Sequence, residues 1–274
     1  MSQVIAFIGG GNMAASLIGG WIQAGRPASA IRVVELSEPR REQLASDYGV
    51  AVYADAAAAV DGATALVLAV KPQQMREACA NLRVAPGTTV ISIAAGIRIA
   101  SLQAWLGHDL HHIRCMPNTP ALLGAGITGL YTDAATPATA RALADAVLGA
   151  AGQTVWLDSE AQIEAVTAVS GSGPAYFFLV TEVMREAGVR LGLSAETAAR
   201  LARQTLIGAA RMAETDTDVA ELRARVTSKG GTTEAAVQSL ENGGIRTIFN
   251  QALEAAARRG AELGQQLSGE SDGR

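Results

Sequence analysis

The stretch Val4-Ile-Ala-Phe-Ile8-Gly9-Gly10-Gly11-Asn12-Met13-Ala14 decides the architecture. Five apolar residues read as a buried strand, and the glycines end it. From Met13 to Gln23, Ala14, Leu17, Ile18 and Trp21 then recur at helical spacing. Strand, glycine turn and helix in that order carry the pattern Gly-x-Gly-x-x-Ala, a form of the dinucleotide-binding fingerprint. Gly9 suits the tight turn, Gly11 lets backbone approach a pyrophosphate, and Ala14 keeps the helix close to its strand. The helix N-terminus adds unpaired N–H groups and the positive end of its dipole. A glycine triplet alone also fits an ordinary structural turn. Its place at the end of the first strand of a strand-rich half favours the Rossmann reading.

The pattern repeats outward from there. Strands are expected at 31–35, 50–53, 65–70, 89–93, 112–116, 125–131 and 154–157, with helical stretches between them, among them a polar helix from Pro39 to Tyr48 and one near 138–151. Such alternation predicts a parallel sheet covered on both faces. Leu66 to Val70 is apolar throughout, as a doubly buried strand should be. After Asp158 strand signals vanish, and helices are predicted over 160–170, 175–191, 195–214, 219–226, 233–241 and 245–267, with Ser194 as an N-cap. The polar tail Ser268 to Arg274 is expected to fray. The division is α/β over 1–160, with a doubly wound sheet, and all-helical over 161–274.

Composition narrows the function. The 274 residues are 49% hydrophobic, 18% charged and only 4% aromatic, with 29 glycines and net charge −4, and the mean hydropathy is +0.20. Disorder is excluded by that hydrophobicity, and a pI near 5.5 argues against a nucleic-acid protein. No uninterrupted apolar run reaches the ~18 residues of a membrane span, so none is expected, and the stretch Met1-Ser-Gln-Val4 shows no basic signal region. Cys79 and Cys115 make no disulfide framework and fit the reducing cytoplasm. So apolar a chain, so poor in charge, predicts surface covered by a partner.

The second strand ends at Glu35, 24 positions beyond Gly11, close to the ~20 at which a carboxylate reads the adenine ribose. A carboxylate there favours NADH. Ser37, Arg40 and Arg41 follow, and an arginine there would accept the 2′-phosphate of NADPH, unless both are simply solvated helix residues. Both cofactors therefore stay open. Further candidates lie at strand carboxyl ends: Ala69-Val70-Lys71-Pro72, Ala94-Ala95-Gly96 and Met116-Pro-Asn118-Thr-Pro120. Ser170-Gly-Ser172-Gly-Pro-Ala175 is a fourth such segment, also expected at a strand carboxyl end, and Lys71 is expected to face the cofactor. In the helical half, Ser228-Lys229-Gly230-Gly231-Thr232-Thr233-Glu234 makes a nest of N–H donors suited to a carboxylate, or else an ordinary capped turn. His108, His111 and His112 lack a carboxylate or cysteine at ligand spacing and read as a solvated loop, so no metal site is expected. Cys115 reads as a buried strand residue, and Trp21, Trp105 and Trp156 as core or interface anchors.

Together these segments resemble the pyrroline-5-carboxylate reductase family. The resemblance spans nearly the whole chain, through Ile8-Gly-Gly-Gly-Asn-Met13, the Ala-Val-Lys-Pro run, Ala94-Ala-Gly96, Arg114-Cys-Met-Pro-Asn-Thr-Pro120, Val169-Ser-Gly-Ser-Gly-Pro-Ala-Tyr176 and Thr227-Ser-Lys-Gly-Gly-Thr-Thr-Glu-Ala-Ala236. It implies NADPH- or NADH-dependent reduction of the cyclic imine 1-pyrroline-5-carboxylate to proline, with no metal, nucleic acid or membrane. It implies a cofactor held by Ile8, Gly9, Gly10, Gly11, Asn12, Met13, Glu35, Ala69, Val70, Lys71, Pro72, Ala94, Ala95, Gly96 and Asn118. Substrate would be bound by Ser172, Ser228, Gly230, Gly231, Thr232 and Thr233, with the Thr233 hydroxyl toward the imine nitrogen and Glu234 facing away from the ring. It also implies a helical dimerisation domain, a homodimer or larger homo-oligomer, and active sites shared between chains. Two residues depart from the pattern: Glu35 where many members carry a small or hydroxyl residue, and Lys229 where many carry proline. A β-hydroxyacid dehydrogenase is the rival enzyme, but that chemistry needs a lysine base on the first long helix of the second half. The only lysines are Lys71 and Lys229. A dinucleotide sensor without catalysis is the other rival, and it would not need the 228–233 nest.

Overall fold

A computed structural model describes residues 3–268, so the polar tail expected to fray lies outside the described residues. The chain forms two compact units, one running to Gly171 and resumed from Ala256, the other Ser172–Ala255.

In the first unit, β1 (Ile5–Ile8), α1 (Asn12–Gln23), β2 (Ile31–Val34), α2 (Glu38–Tyr48), β3 (Ala51–Tyr53), α3 (Ala57–Val60), β4 (Ala65–Leu68), α4 (Met75–Ala80), β5 (Thr89–Ser92), α5 (Ile99–Leu106), β6 (His111–Met116), β7 (Gly126–Thr132), α6 (Ala138–Leu148), β8 (Gly152–Trp156) and α7 (Gln162–Val166) follow in order. The sheet runs β3-β2-β1-β4-β5-β6-β7-β8. Its first six strands are parallel, with β1 at the centre of the strand-order reversal. β7 pairs antiparallel with β6, and β8 pairs parallel with β7, so these last two strands run against the other six. The reason is length: the β6–β7 connection holds one short 3-10 turn, Thr119–Leu123, and a parallel return needs a crossover of about a dozen residues or more. The sheet is therefore mostly parallel.

Strand side chains alternate between two cores. Ile5, Phe7, Ala65 and Val67 join Leu17, Ile18, Trp21, Leu143 and Val147 on one face. Ala6, Ile8, Leu66 and Leu68 join Met75, Cys79, Leu102 and Leu110 on the other. All residues of β1 and β4 are buried, which explains why these strands are apolar at every position rather than at every second one. Trp21 and Trp156 sit beneath arginines, Arg26 at 4.4 Å and Arg141 at 5.1 Å, and Trp156 donates to Asp145 at 3.0 Å.

The second unit comprises α8 (Gly173–Arg190), α9 (Ala195–Met212), α10 (Val219–Arg225), α11 (Thr232–Asn242) and the start of α12 (Ile245–Ser268). Ser194 caps α9 by accepting from the Thr197 N–H at 3.2 Å. Helices α8 and α9 pack closely because small residues meet: a Cβ on Gly188 would lie 3.2 Å from that of Ala198. From Ala256 on, α12 belongs to the first unit, where the backbones of Gly264 and Gly96 approach so closely that a Cβ on Gly96 would lie 3.2 Å from the Gly264 Cα.

One expectation is corrected here: Ser170 to Ala175 does not leave the carboxyl end of a strand but follows α7, through a π-helical turn over Thr167–Gly171 and a bend at Ser172, and opens α8 at Gly173. The helical run Gln162–Arg190 spans 29 residues, and an 18-residue stretch of it reaches a mean hydropathy of 1.2 with 17% of that stretch buried, so by length and composition alone it could cross a membrane. The glycine and proline that suggested a loop are accommodated because Pro174 sits in the first turn of α8, where its missing N–H costs nothing.

Candidate active site

The carboxyl ends of β2, β1, β4, β5 and β6 lie side by side, and the loops leaving them are joined in series by backbone hydrogen bonds. Gly9 N–H donates to Val34 O at 2.8 Å, Ala69 N–H to Ile8 O at 2.8 Å, and Ile93 N–H to Leu68 O at 3.2 Å. Along this one edge stand Ile8 to Met13, Glu35, Ala69 to Pro72, Ala94 to Gly96 and Asn118. Crevices at the carboxyl ends of such sheets, beside the strand-order reversal, are where open α/β folds bind ligands.

The glycine loop is built for a close approach. Gly9 has φ +100°, and a Cβ there would lie 2.8 Å from Ala69 O. Only glycine fits. Nothing lies within 4 Å of a Cβ placed on Gly11, so the start of α1 faces open space. No side chain caps that helix and no acid occupies its first turn, which leaves its leading N–H groups available to an anion. These features fit a dinucleotide pyrophosphate.

Glu35 is engaged with the loop. Its Oε2 accepts from Gly10 N–H at 3.0 Å and its Oε1 from Ser37 N–H at 2.9 Å. Arg40 donates from Nε to Gly10 O at 2.7 Å. Arg41 donates to Glu35 O and Leu36 O, both at 2.8 Å. Neither arginine is merely a solvated helix residue. Lys71 is exposed at the end of β4. Asn118 is buried, and its Oδ1 accepts from Ile127 N–H at 3.0 Å, closing the turn between β6 and β7.

Arg114, 2% exposed in β6, organises the far end of this edge, a role that its place in the quoted motif did not reveal. Its Nη1 donates to Glu160 at 3.2 Å and its Nη2 to Glu164 at 3.0 Å. The same Glu160 Oε1 accepts from Ile99 N–H at 2.9 Å. One guanidinium thus fastens the start of α5, just past Ala94 to Gly96, to the segment leading into α7. Ser92 Oγ and Arg114 Nε, on paired positions of β5 and β6, are buried without partners among the described residues. Gly171 lies over Met116, whose Cε would be 2.6 Å from a Cβ there.

The other predicted residues fall in the second unit. Thr232 and Thr233 open α11, whose N-cap Gly231 supplies no side-chain cap, so the nest ends at a helix start as expected. Within it, Glu234 folds back rather than outward: its Oε2 accepts from Gly230 N–H at 2.6 Å, while Gly231 N–H donates to Ser228 O at 3.0 Å. Two of the expected N–H donors are therefore engaged internally, and the leading turn of α11 carries the others. Thr233 is half-buried, and Ser228 and Lys229 are exposed. Ser172 is half-buried at the N-cap of α8.

His112 contradicts the solvated-loop expectation. It is buried in β6, with Nε2 2.8 Å from Gly107 O, as the opening of the strand expected at 112–116 rather than part of the loop before it. Cys79 and Cys115 are buried, which pushes the Cys79 thiol up to about 12 and that of Cys115 higher still, so neither is a nucleophile. Among the described residues, no three His, Cys, Asp or Glu side chains cluster as metal ligands.

Comparison with known proteins agrees with this layout. Residues 160–263 match the family model for pyrroline-5-carboxylate reductase dimerisation, and residues 4–96 that for NADP oxidoreductase, coenzyme F420-dependent. The chain is 52% identical over 266 residues to a pyrroline-5-carboxylate reductase of Pseudomonas aeruginosa, covering 96% of this chain and 97% of the relative. The chain belongs to the pyrroline-5-carboxylate reductase family. Among solved members, the reductase of Coxiella burnetii superposes with a TM-score of 0.90 at 41% identity, over 96% of this chain and 99% of that one. The Plasmodium falciparum reductase with NADP bound superposes at 0.80 with 26% identity, over 96% and 98%. As in the family, a mostly parallel dinucleotide sheet precedes a helical dimerisation domain, and the chain is an NAD(P)H-dependent oxidoreductase.

Proposed function

We propose that this protein reduces 1-pyrroline-5-carboxylate to L-proline, the last step of proline formation, using NADPH or NADH. The observation that carries the reading is the continuous carboxyl edge of β2-β1-β4-β5-β6, with an uncapped helix at Gly11 and an open face beside it. The bound nicotinamide supplies a hydride to C5 of the imine. The protein supplies position and field. Ile8 to Met13 hold the pyrophosphate at the α1 N-terminus, and Glu35 takes the adenine ribose. Ala69 to Pro72, Ala94 to Gly96 and Asn118 line the path to the nicotinamide, with Lys71 facing the cofactor. Residues 1–160 carry this dinucleotide work, and residues 161–274 carry substrate binding and self-association.

In the second half, the leading N–H groups of α11 at Thr232 and Thr233 bind the substrate carboxylate, with Ser228, Gly230, Gly231 and Ser172 shaping the pocket. The glutamate hydrogen bond to Gly230 stiffens that nest. The Thr233 hydroxyl, relayed by water, holds the proton at the imine nitrogen, where positive charge makes C5 electrophilic. Orientation of the two reactants contributes more than acid catalysis, because no strong acid stands in these segments. Each site draws on two chains of a homodimer, the substrate loop of one meeting the cofactor of its partner. Two buried, unoxidised cysteines support work in the cytoplasm.

The test is direct. Mixing protein, imine and reduced dinucleotide should deplete the nicotinamide absorbance and form proline; bound dinucleotide without turnover would instead indicate a sensor. Thr233→Ala should lower kcat/KM for the imine by about 10- to 100-fold, the scale of one or two hydrogen bonds made in the transition state. Dinucleotide affinity should stay unchanged. Full turnover in that variant refutes the role of Thr233.

A further inference from the structure

We propose that this enzyme selects NADH over NADPH, and that Glu35 imposes the selection with Arg40 and Arg41 holding it in place. The proposal rests on the dinucleotide reading of the Gly9 to Met13 loop. Nothing in that reading chooses between the two cofactors, which differ only by a phosphate on the 2′-oxygen of the adenine ribose.

The choice lies in how the groups at the end of β2 are used. Glu35 follows the last residue of the strand, and its own N–H donates to Tyr53 O at 3.0 Å. The side chain therefore leaves from a fixed backbone. Each carboxylate oxygen takes one backbone N–H, from Gly10 and from Ser37. A carboxylate oxygen has two acceptor sites, so each retains one for a further donor. Two oxygens so placed match the two adjacent hydroxyls of an unsubstituted ribose. A 2′-phosphate offers no such hydroxyl and brings a charge of about −1.5 to −2 against the carboxylate.

The arginines that would compensate this charge are each anchored to the backbone by one nitrogen, Nε of Arg40 and Nη1 of Arg41, which fixes where the remaining donors of each guanidinium point. Arg40 donates to Gly10 O from Nε and to Gln43 Oε1 from Nη1, both at 2.7 Å. Arg41 holds the carbonyls of Glu35 and Leu36. The Gly10 residue is thus gripped at both polar groups, its N–H by Glu35 and its C=O by Arg40. It has no lateral room either, since a Cβ on Gly10 would lie 2.5 Å from Leu44 Cδ1. Turning Arg40 toward a phosphate means releasing Gly10 O, and the loop beneath the pyrophosphate with it. The residue beside Glu35 is Leu36, 82% exposed, an apolar side chain at a place where a phosphate would need a donor.

The experiment measures dissociation constants of NADH and NADPH for the wild-type protein without imine, by nicotinamide fluorescence and by calorimetry. NADH should bind at least tenfold tighter. Glu35→Ser should narrow or invert the ratio, chiefly by tightening NADPH, whereas Arg41→Ala should weaken both dinucleotides alike. Equal or tighter NADPH binding by the wild-type protein overturns the proposal and leaves the dinucleotide site standing, as does a selective loss of NADPH affinity in Arg41→Ala. Failure of either dinucleotide to bind, with no imine-dependent oxidation, overturns the underlying reading as well. The wild-type ratio needs no variant to fold.

Discussion

Strand β4 and helix α8 are built from the same kind of residue and end in opposite places. Every side chain of β4 is buried within its own chain. Of the 18 residues of α8, Gly173 alone is buried, while Phe177, Phe178, Leu179, Val183 and Met184 are exposed. Beside its exposed Arg185–Glu182 pair, α8 turns a cluster of large apolar side chains outward, the kind of patch that marks a surface meant to be covered. The sheet unit buries most of its large apolar side chains within itself, whereas the helical unit leaves most of its own exposed. Residues 160–263 match a dimerisation domain, which supports the second copy proposed above as the cover for that face. The small-residue, low-charge composition thus has two destinations, one internal and one between chains.

The largest expected effect breaks the exposed side of that contrast. Phe177→Glu with Phe178→Glu should turn the assembly into monomers in sedimentation, weakening self-association by roughly 100-fold or more if these aromatics anchor the interface. Imine reduction should fall with it, because the substrate loop would lose its partner. Dinucleotide binding by the sheet unit should persist. An unchanged oligomer would place the interface elsewhere.

A second substitution tests the buried side. The two units use ion pairs differently: the Arg114 side chain is buried and shared by two glutamates, whereas the Arg185–Glu182 pair on α8 has side chains 47% and 54% exposed. Arg114→Met leaves two carboxylates facing a buried methionine and should cost about 3–5 kcal/mol in denaturant unfolding. Arg185→Met should cost about 0.5 kcal/mol or less. Because Glu160 also holds Ile99 N–H, the first variant should weaken dinucleotide binding too. Equal costs for the two would mean that burial does not distinguish them.

The same contrast explains what could be read from the sequence. The β-branched runs and the 3.6-residue periodicity located all eight strands and the helices of the second half, since both patterns record which face meets a core. The Gly-x-Gly-x-x-Ala loop located the edge of the site, because only glycine tolerates the backbone at Gly9. Pairings distant in sequence were not legible. An arginine inside the apolar strand His111 to Met116 signals a need for counter-charge, but not that Glu160 and Glu164 supply it. Likewise the spacing of Glu35 suggested a ribose ligand without showing that Gly10 already occupies one acceptor site on its carboxylate. The reversal of β7 was written in the short connection 117–125, yet the rhythm of the preceding strands masked it. Ser170 to Ala175 has the small residues of a strand-end turn, and periodicity alone did not show that it joins two helices.

The smallest expected effect concerns His112, another polar residue enclosed by the sheet unit. Burial lowers its pKa, aided by His108 and His111, against the opposing pull of the Gly107 carbonyl and Asp133. The ring nitrogen facing Gly107 O must carry its proton to donate, so Nδ1 is the basic nitrogen, and it is buried without a partner. Protonating it would put a charge where nothing accepts the new N–H. The folded state therefore resists a proton that the unfolded chain takes up near pH 6.5. Above that pH the residue is neutral in both states and contributes no pH dependence. As pH falls below it, the unfolded state binds the extra proton and stability declines, by at most about 1.4 kcal/mol per pH unit for one group. The decline from this group ends once the pH passes below the depressed folded-state pKa. His112→Gln keeps a donor for Gly107 O but cannot titrate, so its unfolding free energy should flatten between pH 6.5 and the onset of carboxylate protonation. If the variant and the wild-type protein lose stability in parallel over that interval, His112 is already free to ionise in the folded chain, and the enclosure attributed to the sheet unit is incomplete at β6.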